Sequence, residues 1–256
     1  VSSELVIFGC SHSLWEFKPT WVDILEVNGV RLKNYAESGL SNEGILKNLV
    51  NYVRSNNTAA SAVIQLTYPE RIFQVGPYKL YDVMLEAIKS PNSNMTEKFH
   101  DIFDSITDEW KIKHYQTLQY SIYSILKNCN MNYCVMGILE NKHDLITEFE
   151  SDYIDVSITY DKNPQYQVYM YLPDRSWQWD CHMNPYSQVA IAEKIIEKYN
   201  LNPLSDKARS YVQDTDNLLR SVTKEDFLSN ENRKDPFWKT NALWWKQLKN
   251  IKNKYM

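Results

Sequence analysis

Short apolar runs that alternate with segments of helical period constrain this chain more than any other feature. Leu5-Val6-Ile7-Phe8 ends at Gly9, and an apolar run without polar alternation reads as a buried strand. Arg31–Ala36 offers a second, weaker run, Ala60–Leu66 a third, Tyr133–Leu139 a fourth and Tyr153–Ile158 a fifth. Between them, Ser41 stands as N-cap before Ile45, Leu46, Leu49, Val50 and Val53, which recur at steps of three and four. Trp21–Leu25 reads as a helical turn after Pro19, and the segment Asp108–Lys127 puts Tyr115, Leu118, Ile122, Ile125 and Leu126 on one helical face. Asn184-Pro185 then supplies an N-cap and an N1 proline to a last helix, with Val189, Ala192, Ile195, Ile196 and Tyr199 inward. This order predicts an open, mainly parallel α/β sheet of about five strands.

Composition removes other classes. With 43% apolar and 23% charged residues, the 256-residue chain holds enough apolar side chain for a real core, so wholesale disorder is excluded. Four cysteines, at 10, 129, 134 and 181, include no CxxC pair, which supports neither a disulfide scaffold nor a zinc ribbon and makes a reducing compartment the default. No apolar run approaches the ~20 residues of a membrane-spanning helix. A soluble chain, cytoplasmic by default, is expected, and the start at Val1 leaves an upstream segment open.

Charge is placed unevenly. The net charge is −4, yet residues 233–256 hold seven Lys or Arg against Asp235, so the preceding 232 residues carry −10. An acidic body argues against nucleic acid as a partner, because that binding is dominated by phosphate neutralisation. In the tail, Trp244, Leu248, Ile251 and Tyr255 share one helical face, with Lys246, Lys249, Lys252 and Lys254 mostly around the other. Such a segment suits an anionic membrane surface or a protein partner through residues 233–256, or folds back over its own acidic body, the commoner outcome. The domain expectation is therefore an α/β domain over 1–203 and a C-terminal extension over 204–256 with this basic aromatic tail.

In an open parallel sheet the chemistry collects at the carboxyl ends of the strands. Ser11 stands two residues past Gly9, and a serine becomes a useful nucleophile once a base takes its proton. His182 supplies such a base just before the last helix, with Asp180 to hold its tautomer. Each signal alone has a plainer meaning: a turn serine, and a helix cap. Cys10 is intrinsically the better nucleophile, but it reads as a small buried residue beside Ser11. His100, His114 and His143 show no ligand spacing, so no metal and no cofactor is expected.

Three blocks in order carry a resemblance. Gly9-Cys10-Ser11, then Asn34-Tyr35-Ala36-Glu37-Ser38-Gly39-Leu40-Ser41-Asn42, then Asp180-Cys181-His182-Met183-Asn184-Pro185 resemble the blocks of the SGNH (GDSL-like) hydrolases over roughly residues 4 to 200. Gly9-Cys10-Ser11-His12-Ser13 lacks the second glycine of the G-x-S-x-G elbow, which sets it apart from the α/β-hydrolases. The resemblance implies a three-layer αβα sandwich around a flavodoxin-like sheet. It also implies Ser11 as nucleophile, His182 as base, Asp180 as its partner, and the N–H groups of Ser11 and Gly39 as oxyanion donors.

Two departures matter. The family's third block, Gly-x-Asn-Asp, contributes an asparagine donor, whereas here the stretch reads Thr67-Tyr68-Pro69-Glu70-Arg71, and Pro69 cannot donate. Asn42, Thr67 and Arg71 are the candidates to replace it in oxyanion or substrate binding. Asp180 also lies two residues before His182 rather than the usual three. Tyr166, Tyr169, Tyr171, Trp177 and Trp179 precede the base and either stack on a sugar or pack a domain edge. The expectation is a serine esterase that deacylates a glycan or similar small ester. Its rivals are a non-catalytic carbohydrate- or protein-binding module of the same fold and an acyltransferase using the same serine.

Overall fold

The computed structural model describes residues 4–10, 13–14, 19–37, 40–55, 61–67, 106–137, 145–156, 185–221 and 243–256. The chain divides into two compact units, one comprising Val1–Ser13 with Lys33–Asp155 and the other Leu14–Leu32 with Val156–Met256.

The strands are β1 (Leu5–Phe8), β2 (Leu32–Asn34), β3 (Ser61–Gln65) and β4 (Asn132–Met136), in the sheet order β2-β1-β3-β4. Leu5 pairs with Ser61 and Phe8 with Ile64 in parallel register, and Ser61 through Gln65 pair in parallel with Asn132 through Met136. Beyond β2, Tyr35 N–H donates to the Ile7 carbonyl at 2.8 Å and Glu37 N–H to the Gly9 carbonyl at 3.2 Å, so this segment climbs beside β1 in the same direction. This is the order of the first four strands of a flavodoxin-like sheet. β1 and β3 are buried throughout, as apolar runs without alternation require of central parallel strands. β2, at the edge of the described sheet, is three residues long and only partly buried, with Lys33 paired to Glu4 at 3.0 Å.

The fifth strand expected at Tyr153–Ile158 is a correction. Among the described residues Tyr153 makes a single parallel bridge with Val135, and Ile154 N–H donates to the Val135 carbonyl at 2.7 Å. The 3₁₀ helix Thr147–Asp152 occupies the residues leading up to it, so among the described residues the chain meets β4 for one rung and the sheet has four strands rather than five.

Among the described residues, two α-helices complete the first unit. α2 (Asn42–Ser55) starts where Ser41 takes Gly44 N–H on its hydroxyl, and α3 (Asp108–Asn128) starts at Thr107, whose hydroxyl accepts from Trp110 N–H. Their apolar faces meet one face of the sheet: Ile45, Leu49 and Tyr52 from α2 and Tyr115, Ile122 and Leu126 from α3 share a core with Val6, Phe8, Ile64 and Val135. The α3 stripe differs from the expected one at Leu118, which is half-buried. Gln119 is buried instead and its Oε1 accepts Ile146 N–H at 3.2 Å.

The second unit gathers α1 (Trp21–Val27), α4 (Pro185–Tyr199), α5 (Asp206–Ser221) and α6 (Leu243–Tyr255). α1 opens on a capping box, with Thr20 and Asp23 each bonding the other's backbone. Gln188 of α4 accepts Trp21 N–H at 2.9 Å, while Val189 and Tyr199, expected inward, are half-buried. The basic aromatic tail is α6, folded back on its own chain. Trp244, Leu248 and Tyr255 are buried, and the Tyr255 ring lies 5.7 Å from that of Tyr211 on α5. Its lysines reach acidic partners: Lys254 pairs with Asp214 at 2.9 Å and Lys252 with Asp23. Those contacts hold the Asp214 carboxyl below its usual 3.8, first through the Lys254 hydrogen bond and then through that of Tyr255.

A chain with six glycines needs other residues for left-handed backbone. Three helices end on the same paired bonds, with Gly29 (φ 83°) after α1, Asn130 (φ 49°) after α3 and Asn200 (φ 50°) after α4. Asparagine is the usual stand-in for glycine at this cap.

Candidate active site

The order β2-β1-β3-β4 puts the reversal of connection direction between β1 and β3, and ligands of such sheets bind beyond the carboxyl ends of the strands at that point. The residues there are Gly9, Cys10 and Ser13 after β1, and Gln65 to Thr67 at the end of β3.

Gly9 is there for space. A Cβ on it would sit 2.8 Å from Ser13 Oγ and 3.0 Å from both Cβ and Oε1 of Gln65. A side chain there would press first on the Ser13 hydroxyl and then on Gln65, which reaches across from β3. The Ser13 hydroxyl donates to Gln65 Oε1 at 2.5 Å, and the Cys10 thiol points at the same oxygen from 4.0 Å. Ser13 N–H donates to the Cys10 carbonyl at 3.0 Å, which closes a four-residue turn. Asn34, the last residue of β2, donates its side-chain amide to the Ser13 carbonyl at 2.9 Å and accepts Ala36 N–H at 3.0 Å. Cys10, Ser13 and Gln65 are all fully buried.

A second arrangement stands at the same end of β3. Asn42, the first residue of α2, accepts Thr67 N–H on Oδ1 at 2.9 Å and donates through Nδ2 to the Thr67 carbonyl at 3.1 Å. Thr67 Oγ1 and Gln65 Nε2 are buried and have no hydrogen-bond partner among the described residues. Next to Asn42 in the first turn of α2, Glu43 meets His114 of α3 at 2.8 Å, and the Trp110 ring stacks on that imidazole at 4.7 Å.

Of the residues named from sequence, Asn42 and Thr67 are described and stand bonded to each other. Ser11, Gly39, Arg71, Asp180 and His182 lie outside the described residues, as do Asn184 and the aromatic run Tyr166–Trp179. Gln65 and Ser13 are the two residues at this strand end that the sequence reading did not single out. The signal for Gln65 was a polar residue inside an apolar run, which is the informative kind of buried residue. Among the described residues no group of three or more His, Cys, Asp or Glu is placed to hold a metal ion, and no helix is long and apolar enough to cross a membrane. Among the described residues Cys10, Cys129 and Cys134 form no disulfide.

No protein-family model matches the chain, and no curated protein matches it in sequence. Among solved structures it is similar to a member of the lipolytic protein G-D-S-L family from Veillonella parvula DSM 2008, at 15% identity and a TM-score of 0.38, covering 76% of this chain and 96% of that one. It is similar to a lipase/acylhydrolase from Enterococcus faecalis, at 11% identity and a TM-score of 0.42, covering 79% and 99%. It is also similar to the acetyl xylan esterase AlAXEase, at 12% identity and a TM-score of 0.40, covering 76% and 98%.

Proposed function

We propose that this protein is a divergent SGNH-type serine esterase that removes a small acyl group from a glycan or similar polar ester. The observation that carries the reading is the built corner at the β1–β3 reversal. There a fully buried carboxamide accepts the Ser13 hydroxyl beside Gly9, and Ser13 N–H bonds the Cys10 carbonyl, at the two residues that flank Ser11 and His12 in the sequence.

In this reading Ser11 Oγ attacks the ester carbonyl carbon while its proton passes to His182, which Asp180 orients. The oxyanion that forms is met by the N–H groups of Ser11 and Gly39. Collapse breaks the bond to the alcohol, which leaves with the proton from His182, and the acyl group stays on Ser11. Water then attacks the acyl-serine, giving its proton to His182, and the acid departs as Ser11 recovers its own. Pro69 leaves the third donor position vacant, at a cost of roughly 10²–10³ in turnover if nothing replaces it. Thr67 is the best-supported replacement, since its hydroxyl is buried at the strand end with no partner among the described residues. Asn42 frames Thr67 through its backbone, and Arg71 is the remaining candidate for substrate contact.

The test is a fluorophosphonate probe and a panel of small esters, including acetylated sugars, applied to the parent chain and Ser11→Ala. Labelling and turnover in the parent, both lost in the variant, are expected. Labelling that persists in Ser11→Ala, or a parent that neither labels nor turns over any ester, overturns the reading. Pro69 favours one rival, a non-catalytic binding module. Glycan binding that survives Ser11→Ala, with no ester turnover in either chain, is the result that carries it.

A further inference from the structure

The side chain of Gln65 reaches from the end of β3 over the carboxyl end of β1. Phe8 and Ile64 are the last registered pair, so Gly9 and Gln65 follow side by side. The missing Cβ of Gly9 is the space that Gln65 Cβ and Oε1 occupy. The carboxamide is oriented, because its oxygen takes the Ser13 hydroxyl while Nε2 faces away, buried and without a partner among the described residues. Leaving an amide unpaired in the interior is unfavourable, and an apolar side chain of similar length fills a buried strand position without that penalty. What the carboxamide contributes is therefore its acceptor oxygen.

That oxygen acts on one turn. Ser13 is fixed through three groups at once: its N–H on the Cys10 carbonyl, its hydroxyl on Gln65 Oε1, and its carbonyl on Asn34 Nδ2. The other end of the turn, Cys10, is buried with its thiol toward the same oxygen. Only Ser11 and His12 connect these two ends. A nucleophile gains from being held before its substrate arrives.

We propose that Gln65 is a positioning residue, whose carboxamide oxygen, laid over Gly9, locks the Cys10–Ser13 turn and so holds the Ser11 hydroxyl for attack. The proposal rests on the reading of Ser11 as nucleophile. In that role Gln65 acts through Ser13.

The experiment uses the full chain with Gln65→Leu, Gln65→Glu and Ser13→Ala, and reads two quantities. Amide hydrogen exchange at Ser13 reports the turn whatever the chemistry. It is expected to quicken by about tenfold or more in Gln65→Leu and Ser13→Ala, while the amides of β1 and β3 keep the parent's protection. Fluorophosphonate labelling reports the nucleophile. Its maximal rate is expected to fall by about 10²-fold in Gln65→Leu, with the probe concentration for half-maximal rate held within about twofold. Gln65→Glu keeps an acceptor oxygen over Gly9 and recovers most of that rate. Unchanged Ser13 exchange in a folded Gln65→Leu overturns the proposal, and so does an equal loss of labelling in the Leu and Glu variants. Should Gln65→Leu lose the native circular dichroism, Ser13→Ala removes the same bond from the loop side and carries both readouts. A parent chain that neither labels nor turns over any ester overturns the Ser11 reading alone, and Ser13 exchange still decides whether Gln65 holds the turn.

Discussion

At the carboxyl end of β3, the Asn42 carboxamide gives both its oxygen and an amide N–H to the backbone of Thr67, whereas two residues earlier the Gln65 carboxamide gives its oxygen alone, to Ser13. Both groups are buried at the same strand end, and they differ in what remains unpaired. The Asn42 corner satisfies two main-chain groups where the strand leaves the sheet, an ordinary requirement for buried backbone. The Gln65 corner leaves Nε2 without a partner among the described residues, while Gln65 Cβ and Oε1 stand 3.0 Å from where a Cβ on Gly9 would be. An unpaired buried polar group calls for an explanation, and a role at a functional site is one of the recognised ones. The contrast separates a corner that frames the sheet from a corner that serves the turn bearing Ser11.

The strongest way to break the Gln65 corner is Gly9→Val. Its Cβ would stand 2.8 Å from Ser13 Oγ and 3.0 Å from Gln65 Cβ and Oε1, both side chains being fully buried. Overpacking of this kind costs about 1–3 kcal/mol, and a branched side chain belongs at the upper end. Urea unfolding should show that loss together with a collapse of fluorophosphonate labelling. A Gly9→Val chain as stable as the parent places the corner wrongly.

Asn42→Ala tests the other corner. Removing its carboxamide strands the Thr67 N–H and carbonyl, a loss of about 1–3 kcal/mol. Asn42→Asp keeps an acceptor for the N–H but sets a second oxygen against the carbonyl, so it should recover only part of that stability. Full recovery by aspartate means that the bond from Nδ2 to the Thr67 carbonyl contributes nothing.

Much of the frame was legible from residue order. Apolar runs without alternation gave β1, β3 and β4, because central parallel strands bury both faces. Ser41 marked the start of α2, and Pro185 the start of α4. Two things escaped. Helix α5 turns a stripe of Ala208, Tyr211, Val212, Thr215 and Leu219 inward, and its small and hydroxyl-bearing members mute the apolar period on which helix recognition depends. The buried glutamines escaped as well. Gln65, Gln119 and Gln188 each offer a side-chain oxygen to a segment distant in sequence: to Ser13, to Ile146 N–H and to Trp21 N–H. Nothing in the spacing of a lone glutamine announces such a contact, since its partner is chosen by tertiary packing. Of the chemistry, Asn42 and Thr67 were named from sequence and stand together, while Ser11, Gly39, Arg71, Asp180 and His182 rest on the block resemblance.

The smallest effect on stability, and the finest test of the contrast, belongs to Thr67→Val. The Thr67 backbone is held by Asn42, but its hydroxyl is buried with no hydrogen-bond partner among the described residues. Replacing an unpaired buried hydroxyl by a methyl group removes a desolvated polar atom and breaks no bond. The unfolding free energy should then stay within about 0.5 kcal/mol of the parent or rise slightly. If the hydroxyl stands in for the donor that Pro69 cannot provide, the same variant lowers kcat by up to about 10²-fold with KM little changed, since an oxyanion donor acts on the transition state. A drop in stability of more than about 1 kcal/mol indicates instead that the hydroxyl has a structural partner. Thr67 would then belong with Asn42 to the frame, and Gln65 would stand alone as the polar group at this strand end with a hydrogen-bonding position to spare.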